Sequence, residues 1–146
     1  MNNLECSTKG DKRFSALCAK IDGYSIEERY QLSKRFLYKK NILRPENYKQ
    51  AKYWQYKNDY ELLDFVVNGD IYSLEYLSMY YKFLWYLYLT EHKNLIEYAK
   101  KFDTFTDCFK KGNTMNSQCD IIELVAKKGI EELYNECKYF VHRYCY

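Results

Sequence analysis

GYSIEERYQLSKRF, Gly23 to Phe36, is the stretch on which the reading of the fold turns. Asp22 and Gly23 form a turn signal after RFSALCAKI, a short run with weak alternation that suits a strand entering a turn. Ser25 and Glu28 then stand in the S-x-x-E pattern of a capping box, where hydroxyl and carboxylate satisfy the free amides of a helix start. The pattern predicts a helix from there to about Lys39, with Ile26, Tyr30, Ser33 and Leu37 along one side. Offset from that side, Glu27, Gln31 and Lys34 follow one another at four and three residues and share a face. A carboxylate in a first turn is favoured in its ionised form by the helix dipole. Such a stripe is either a solvated face with ordinary i,i+4 partners or a place where a ligand meets a carboxylate, an amide and an amine.

Working outward, NILRPENYKQAKYWQYKNDYELLD is polar, and Pro45 with Glu46 suits the opening of a helix, since Pro is tolerated in a first turn. FVVNGDIYS carries Asn68-Gly69 between β-branched and aromatic residues, the strongest short hairpin signature. A core helix is predicted from about Ser73 to Thr90, and another from Lys93 to Phe102 on the spacing of Leu95, Ile96, Ala99 and Phe102. DTFTDCFKKGNTMNSQ reads as a loop. Ser117 and Asp120 then cap a further helix, and Gly129 ends it so that a last helix leaves at a new angle. These elements make the chain mainly α (α+β): a single compact helical domain over residues 1–146, with one or two small β-hairpins.

Composition narrows the function classes. The 146 residues are 47% hydrophobic and 29% charged, ordinary for a globular chain able to bury one core. A net charge of +3, with Lys and Arg spread along the chain, does not by itself argue for nucleic acid. The 18 tyrosines have apolar bodies and polar tips, which places many of them at the boundary between core and solvent. None of the six cysteines is spaced C-x-x-C, so neither a zinc site nor any other metal or cofactor is expected. MNNLECSTKGDKRF has no apolar signal-peptide core, which predicts a reducing, cytoplasmic setting and free thiols. The most apolar run, Leu74 to Leu89, contains Glu75 and Lys82 and is shorter than the ~20 residues of a membrane span, so no membrane partner is expected. Cys145 near His142 lacks an orienting third group for a thiol nucleophile.

Two further stretches are candidates for anion binding. KGDKRFSA, Lys9 to Ala16, combines the backbone freedom of Gly10 with Lys9, Lys12 and Arg13 and suits a phosphate or pyrophosphate, with Phe14 and Ser15 beside it. It is not a Walker loop. DCFKKGNTMNSQ, Asp107 to Gln118, is a Gly-containing loop before a capped helix, and its Asp107, Asn113, Asn116 and Gln118 can meet ribose hydroxyls or a base edge. The bland readings are a basic surface turn and a polar interhelical loop.

In this order the pieces resemble the NADAR family. Gly23, Ser25, Ile26, Glu27, Tyr30, Gln31 and Lys34 match its helix motif, and Leu95, Glu97, Asp107, Phe109, Gly112, Asn116 and Ile121 resemble its second motif. Phe109-Lys110 stands where that motif has Trp-Gly, and the family's Leu-Met-x-x-Arg ending is absent. STKGDKRFSA is also similar to a stretch of small proteins of phages and large DNA viruses.

The resemblance implies an N-glycosidase acting on an N-linked ADP-ribosyl or ribosyl-phosphate group, with an ADP-ribose-related nucleotide or ADP-ribosylated nucleic acid as partner. Glycosidic cleavage passes through an oxocarbenium-like state that a carboxylate stabilises while water attacks the opposite face. On that implication Glu27 is the carboxylate or the base for the water, and Asp107 orients the ribose or is the second acid/base group. Lys12, Arg13 and Lys34 hold phosphates, while Gln31, Asn116 and Gln118 contact ribose or base. Two other readings stand beside it. One is a protein that sequesters an ADP-ribose-type nucleotide without turnover. The other is a helical interaction module whose polar stripes are only surface.

Overall fold

The computed structural model describes residues 2–110 and 117–145. Among them six α-helices and eight short strands form an α+β chain, so the expected mainly helical character holds with more strand than foreseen. Its contacts gather into two compact units, Met1–Ile26 with Met79–Tyr146, and Glu27–Ser78.

The unit Glu27–Ser78 corrects the first predicted helix. Helix α1 spans Ile26–Leu32 and stops seven residues short of Lys39, because Lys34–Tyr38 is a strand, β4. Ser33 makes the break: its hydroxyl donates to Tyr30 O at 2.7 Å and its carbonyl accepts the Val66 N–H at 2.8 Å. Beyond it burial follows a period of two, with Lys34 and Phe36 inward. β4 lies inside an antiparallel sheet of order β5-β4-β6-β7, with β5 at Asn41–Leu43, β6 at Glu61–Val67 and β7 at Asp70–Tyr72. The β4–β6 register shifts between Arg35 and Phe36, a bulge beside the Arg35–Asp64 pair, whose two hydrogen bonds measure 2.6 and 2.8 Å. The Asn68-Gly69 hairpin joins β6 to β7 as expected, with φ of 49° and 85°. Helix α2, Tyr48–Gln55, begins at its Asn47 cap rather than at Pro45. Asn47 Oδ1 accepts the Gln50 N–H at 2.8 Å, and an Asn side chain there satisfies an amide that Pro45 cannot. Phe36, Ala51 and Trp54 form this unit's core, flanked by Leu43, Tyr60 and Leu62.

In the other unit, β1 (Asn3–Glu5) pairs in parallel with β8 (Thr104–Thr106), a strand inside a segment that reads as loop. β2 (Lys20–Ile21) and β3 (Tyr24–Ser25) form the expected hairpin through Asp22 and Gly23, both at positive φ. The core helix begins in the unit Glu27–Ser78 as a 3-10 turn, Leu74–Tyr76, and continues into this one as α3, Leu77–Glu91; α4 spans Lys93–Ala99. Ser117 caps α5 (Gln118–Lys128), and Gly129 at φ 93° separates it from α6 (Ile130–Tyr144), as the sequence indicates. Phe14, Trp85, Leu133 and Phe140 are fully buried in this unit. No described helix is long and apolar enough to cross a membrane.

Candidate functional site

Glu27, Gln31 and Lys34 do come together, although only the first two are helical. One turn of α1 sets Gln31 above Glu27, and Gln31 Nε2 donates to Glu27 Oε1 at 3.0 Å. The chain then reverses at Ser33, and the inward side of β4 returns Lys34 to the same amide, where Nζ donates to Gln31 Oε1 at 2.9 Å. The amide therefore joins carboxylate to ammonium through its two ends. α2 completes the group with two residues that the sequence reading passed over. Lys52 Nζ lies 3.3 Å from Glu27 Oε1, and Gln55 Nε2 donates to Gln31 Oε1 at 3.1 Å. Three-residue spacing sets Lys52 and Gln55 on one face of α2, beside the buried Ala51 and Trp54.

Lys34 is 3% exposed and Gln31 6%, so this is not a solvated stripe. Burial holds the Lys34 ammonium down to a pKa of about 8; Glu27 opposes the shift and Lys52 adds to it. Nζ also sits 4.6 Å from the centroid of the Tyr30 ring, which offers it a π face. Burial, with Glu27 adding to it, raises the Tyr30 hydroxyl to about 12, so the ring stays neutral. A buried ammonium with one hydrogen bond among the described residues keeps N–H donors for an anion. The Glu27 side chain, 14% exposed, is open enough to meet a ligand atom.

Lys12, Arg13, Phe14, Ser15, Asp107 and Gln118 lie in the other unit. Lys12–Phe14 is a 3-10 turn capped by Asp11, whose carboxylate accepts the Arg13 backbone N–H and the guanidinium Nε and Nη2 N–H groups, at 3.1, 2.9 and 2.7 Å. The same guanidinium lies 4.5 Å over the Tyr98 ring. Lys12 is exposed, whereas Phe14 and Ser15 are buried. The Gln118 amide fastens three segments: Ala16 N–H donates to Oε1 at 2.6 Å, and Nε2 donates to Cys6 O at 2.6 Å and to Asp107 Oδ2 at 3.0 Å. Asp107 also accepts the Phe109 N–H at 3.0 Å. Asn113 and Asn116 lie outside the described residues.

Glu5, Asp107 and Cys108 bring three possible ligand atoms within 4.8 Å of one another. The Glu5 carboxylate is already taken by the Ser7 hydroxyl, Thr106 Oγ1 and the Cys108 N–H. Burial works to raise its pKa, but these hydrogen bonds outweigh it and hold the group below the usual carboxylate range. All six cysteines are free thiols. Burial raises Cys6 and takes Cys137 to about 12, as befits small core side chains, and it raises Cys145 as well. His142 meets the Tyr134 hydroxyl at 2.6 Å.

A family model described as the DarT1-associated NADAR antitoxin matches residues 2–146. No curated protein matches the chain.

Proposed function

The chain belongs to the NADAR family, in the group described as DarT1-associated antitoxins, and from that premise we propose that it cleaves the N-glycosidic bond of an ADP-ribosyl group. Its role is related to DarT ADP-ribosylation toxin–antitoxin systems. The observation that carries the finer reading is the chain Glu27–Gln31–Lys34, a carboxylate and a buried ammonium held at fixed positions by one amide. In the reaction the bond between the ribose anomeric carbon and the base nitrogen breaks, its electron pair leaves with the nitrogen, and positive charge develops on the sugar. Glu27 stabilises that charge at a position fixed before the reaction begins. Water then adds to the anomeric carbon, and its proton leaves to the released base or to solvent, giving free ADP-ribose and the unmodified base. Lys34 receives a phosphate oxygen in exchange for part of its lost hydration.

The test is release of ADP-ribose from an oligodeoxynucleotide carrying an ADP-ribosylated base, followed by chromatography. Glu27→Gln, which preserves the Gln31 contact in shape, should slow release by ~100-fold or more without lowering the melting temperature. Release at the wild-type rate would refute the role of Glu27. Binding without turnover has one feature in its favour, Phe109-Lys110 in place of the motif's Trp-Gly. It predicts ADP-ribose recovered in stoichiometric amount on denaturation and the modified oligonucleotide left intact.

A further inference from the structure

The β4–β5 hairpin turns on Lys39 and Lys40, both at positive φ, 47° and 68°. A two-residue hairpin loop of this kind favours Asn-Gly or Asp-Gly, because a side chain with a Cβ is strained in the left-handed region. The chain uses those pairs at Asp22-Gly23 and Asn68-Gly69. At this turn alone among the three it accepts the strain at both positions, and two ammonium groups are what the tip gains. The tip stands on a ladder of rings: Tyr38 stacks on Tyr60 at 4.3 Å, and Tyr60 on Trp54 of α2 at 5.0 Å. Lys39 lies over Tyr38 and Lys57 over Tyr53, at 5.1 and 4.8 Å from the ring centroids. Lys39 and Lys57 feel the same two neighbours, Asp59 and Tyr60, so the hairpin tip and the end of α2 meet in one place. Tyr53 and Tyr56 are 57% and 86% exposed there, in a chain where a tyrosine ring is usually half covered. Lys39 and Lys40 thus stand at the hairpin tip and Lys57 just past α2, the stretch where Tyr53 and Tyr56 are open, with Asp59 the acidic neighbour of Lys39 and Lys57.

We propose that this face, Lys39, Lys40 and Lys57 with Tyr53 and Tyr56, holds a single strand of nucleic acid. Charge complementarity selects the occupant: ammonium groups pair with phosphates, while open rings accept bases of any sequence by stacking. Contact with the Tyr38 and Tyr53 rings restrains Lys39 and Lys57, so less order has to be acquired on binding. α2 joins this face to Glu27 within one unit, since Lys52 and Gln55 of the same helix complete the Glu27 cluster. The proposal deepens the reading of that cluster, because an ADP-ribosylated strand must be held as well as cleaved.

The test uses a dye-labelled, unmodified single-stranded oligodeoxynucleotide of ~12 residues, anisotropy titrations over a range of salt, and the full chain. Lys39→Asn with Lys40→Gly installs the residues the turn prefers, so the variant folds at least as well as the parent, and its melting temperature records this. It should bind about tenfold more weakly near 0.1 M salt, with the slope of log affinity against log salt shallower by ~1.4, two contacts at ~0.7 each. Tyr56→Ala should weaken binding by about tenfold with the salt slope unchanged. Release of ADP-ribose from a modified mononucleoside should be unaltered in the turn variant. Unchanged affinity and slope in that variant, a wild-type chain that does not bind, or binding confined to duplex would each overturn the proposal. Intact cleavage with lysine-independent binding removes this inference alone. Lysine-dependent binding with no cleavage of any substrate removes the glycosidase reading alone.

Discussion

Replacing Lys34 by Met should make the protein more stable and less able to bind its ligand. Lys34 has an ordinary pKa of 10.5 and is held at about 8 in the folded chain. At 1.36 kcal/mol per unit, keeping it protonated at pH 7 costs roughly 3 kcal/mol. Met conserves the stem, and Gln31 Oε1 still accepts from Gln55, so no buried acceptor is stranded. Loss of the contact with the Tyr30 ring offsets about 1 kcal/mol of the gain. Together with the Gln31 hydrogen bond, worth about 1 kcal/mol, this leaves Lys34→Met more stable by ~1 kcal/mol at neutral pH. The difference depends on pH in a defined direction. Below pH 8 the lysine is charged in both folded and unfolded chains and the penalty is fully present. Between about 8 and 10.5 the unfolded chain holds a proton that the folded chain has released, so the wild type gains stability relative to the variant as pH rises. Urea unfolding of both proteins at pH 7, 8, 9 and 10 measures this, and other lysines cancel in the difference. A variant less stable than the parent at pH 7, or a difference that does not change with pH, would refute the reasoning.

Affinity for ADP-ribose, followed by calorimetry, should fall as pH rises through about 8, where Lys34 loses its charge, and this fall should be absent in Lys34→Met. Gly10→Ala should lower stability by at least ~2 kcal/mol in thermal or urea unfolding, because the new Cβ would stand 2.2 Å from Glu5 O, a backbone atom. Gln118→Ala should cost ~2–4 kcal/mol, since it strands the Ala16 N–H and the Cys6 carbonyl, and the loss should exceed that of alanine at exposed Lys12. Glu5→Gln should lose stability relative to the wild type at pH 7, and the gap should close as pH falls below about 4.5, where the parent's carboxylate takes up a proton.

Local chemistry made much of this chain legible. Asp22-Gly23 and Asn68-Gly69 announce their hairpins because positive φ is a property of two residues. Ser117, with Gly129 eleven residues after Gln118, brackets α5 for the same reason: a cap needs only its own helix end. Glu27 and Gln31 could be paired from their four-residue spacing alone. What the spacing could not show is that Lys34 belongs to a strand. Residues 33–38 fit a helical period as well as an alternating one, and the choice was made by hydrogen bonds to β5 and β6, whose residues lie up to 33 positions away. The β1–β8 pair escaped for the same cause, since Asn3 meets Thr104 across the length of the chain. Lys52 and Gln55 carried no signal of their partners, and only the packing of α2 brought them to Glu27 and Gln31. Residue order alone set where the chain turns, which helix ends are capped and which residue types are available for chemistry. Burial was left to the tertiary structure, and burial is what turned a lysine of ordinary pKa into one poised near neutrality, because desolvation depends on everything packed around a group and on nothing adjacent to it in sequence.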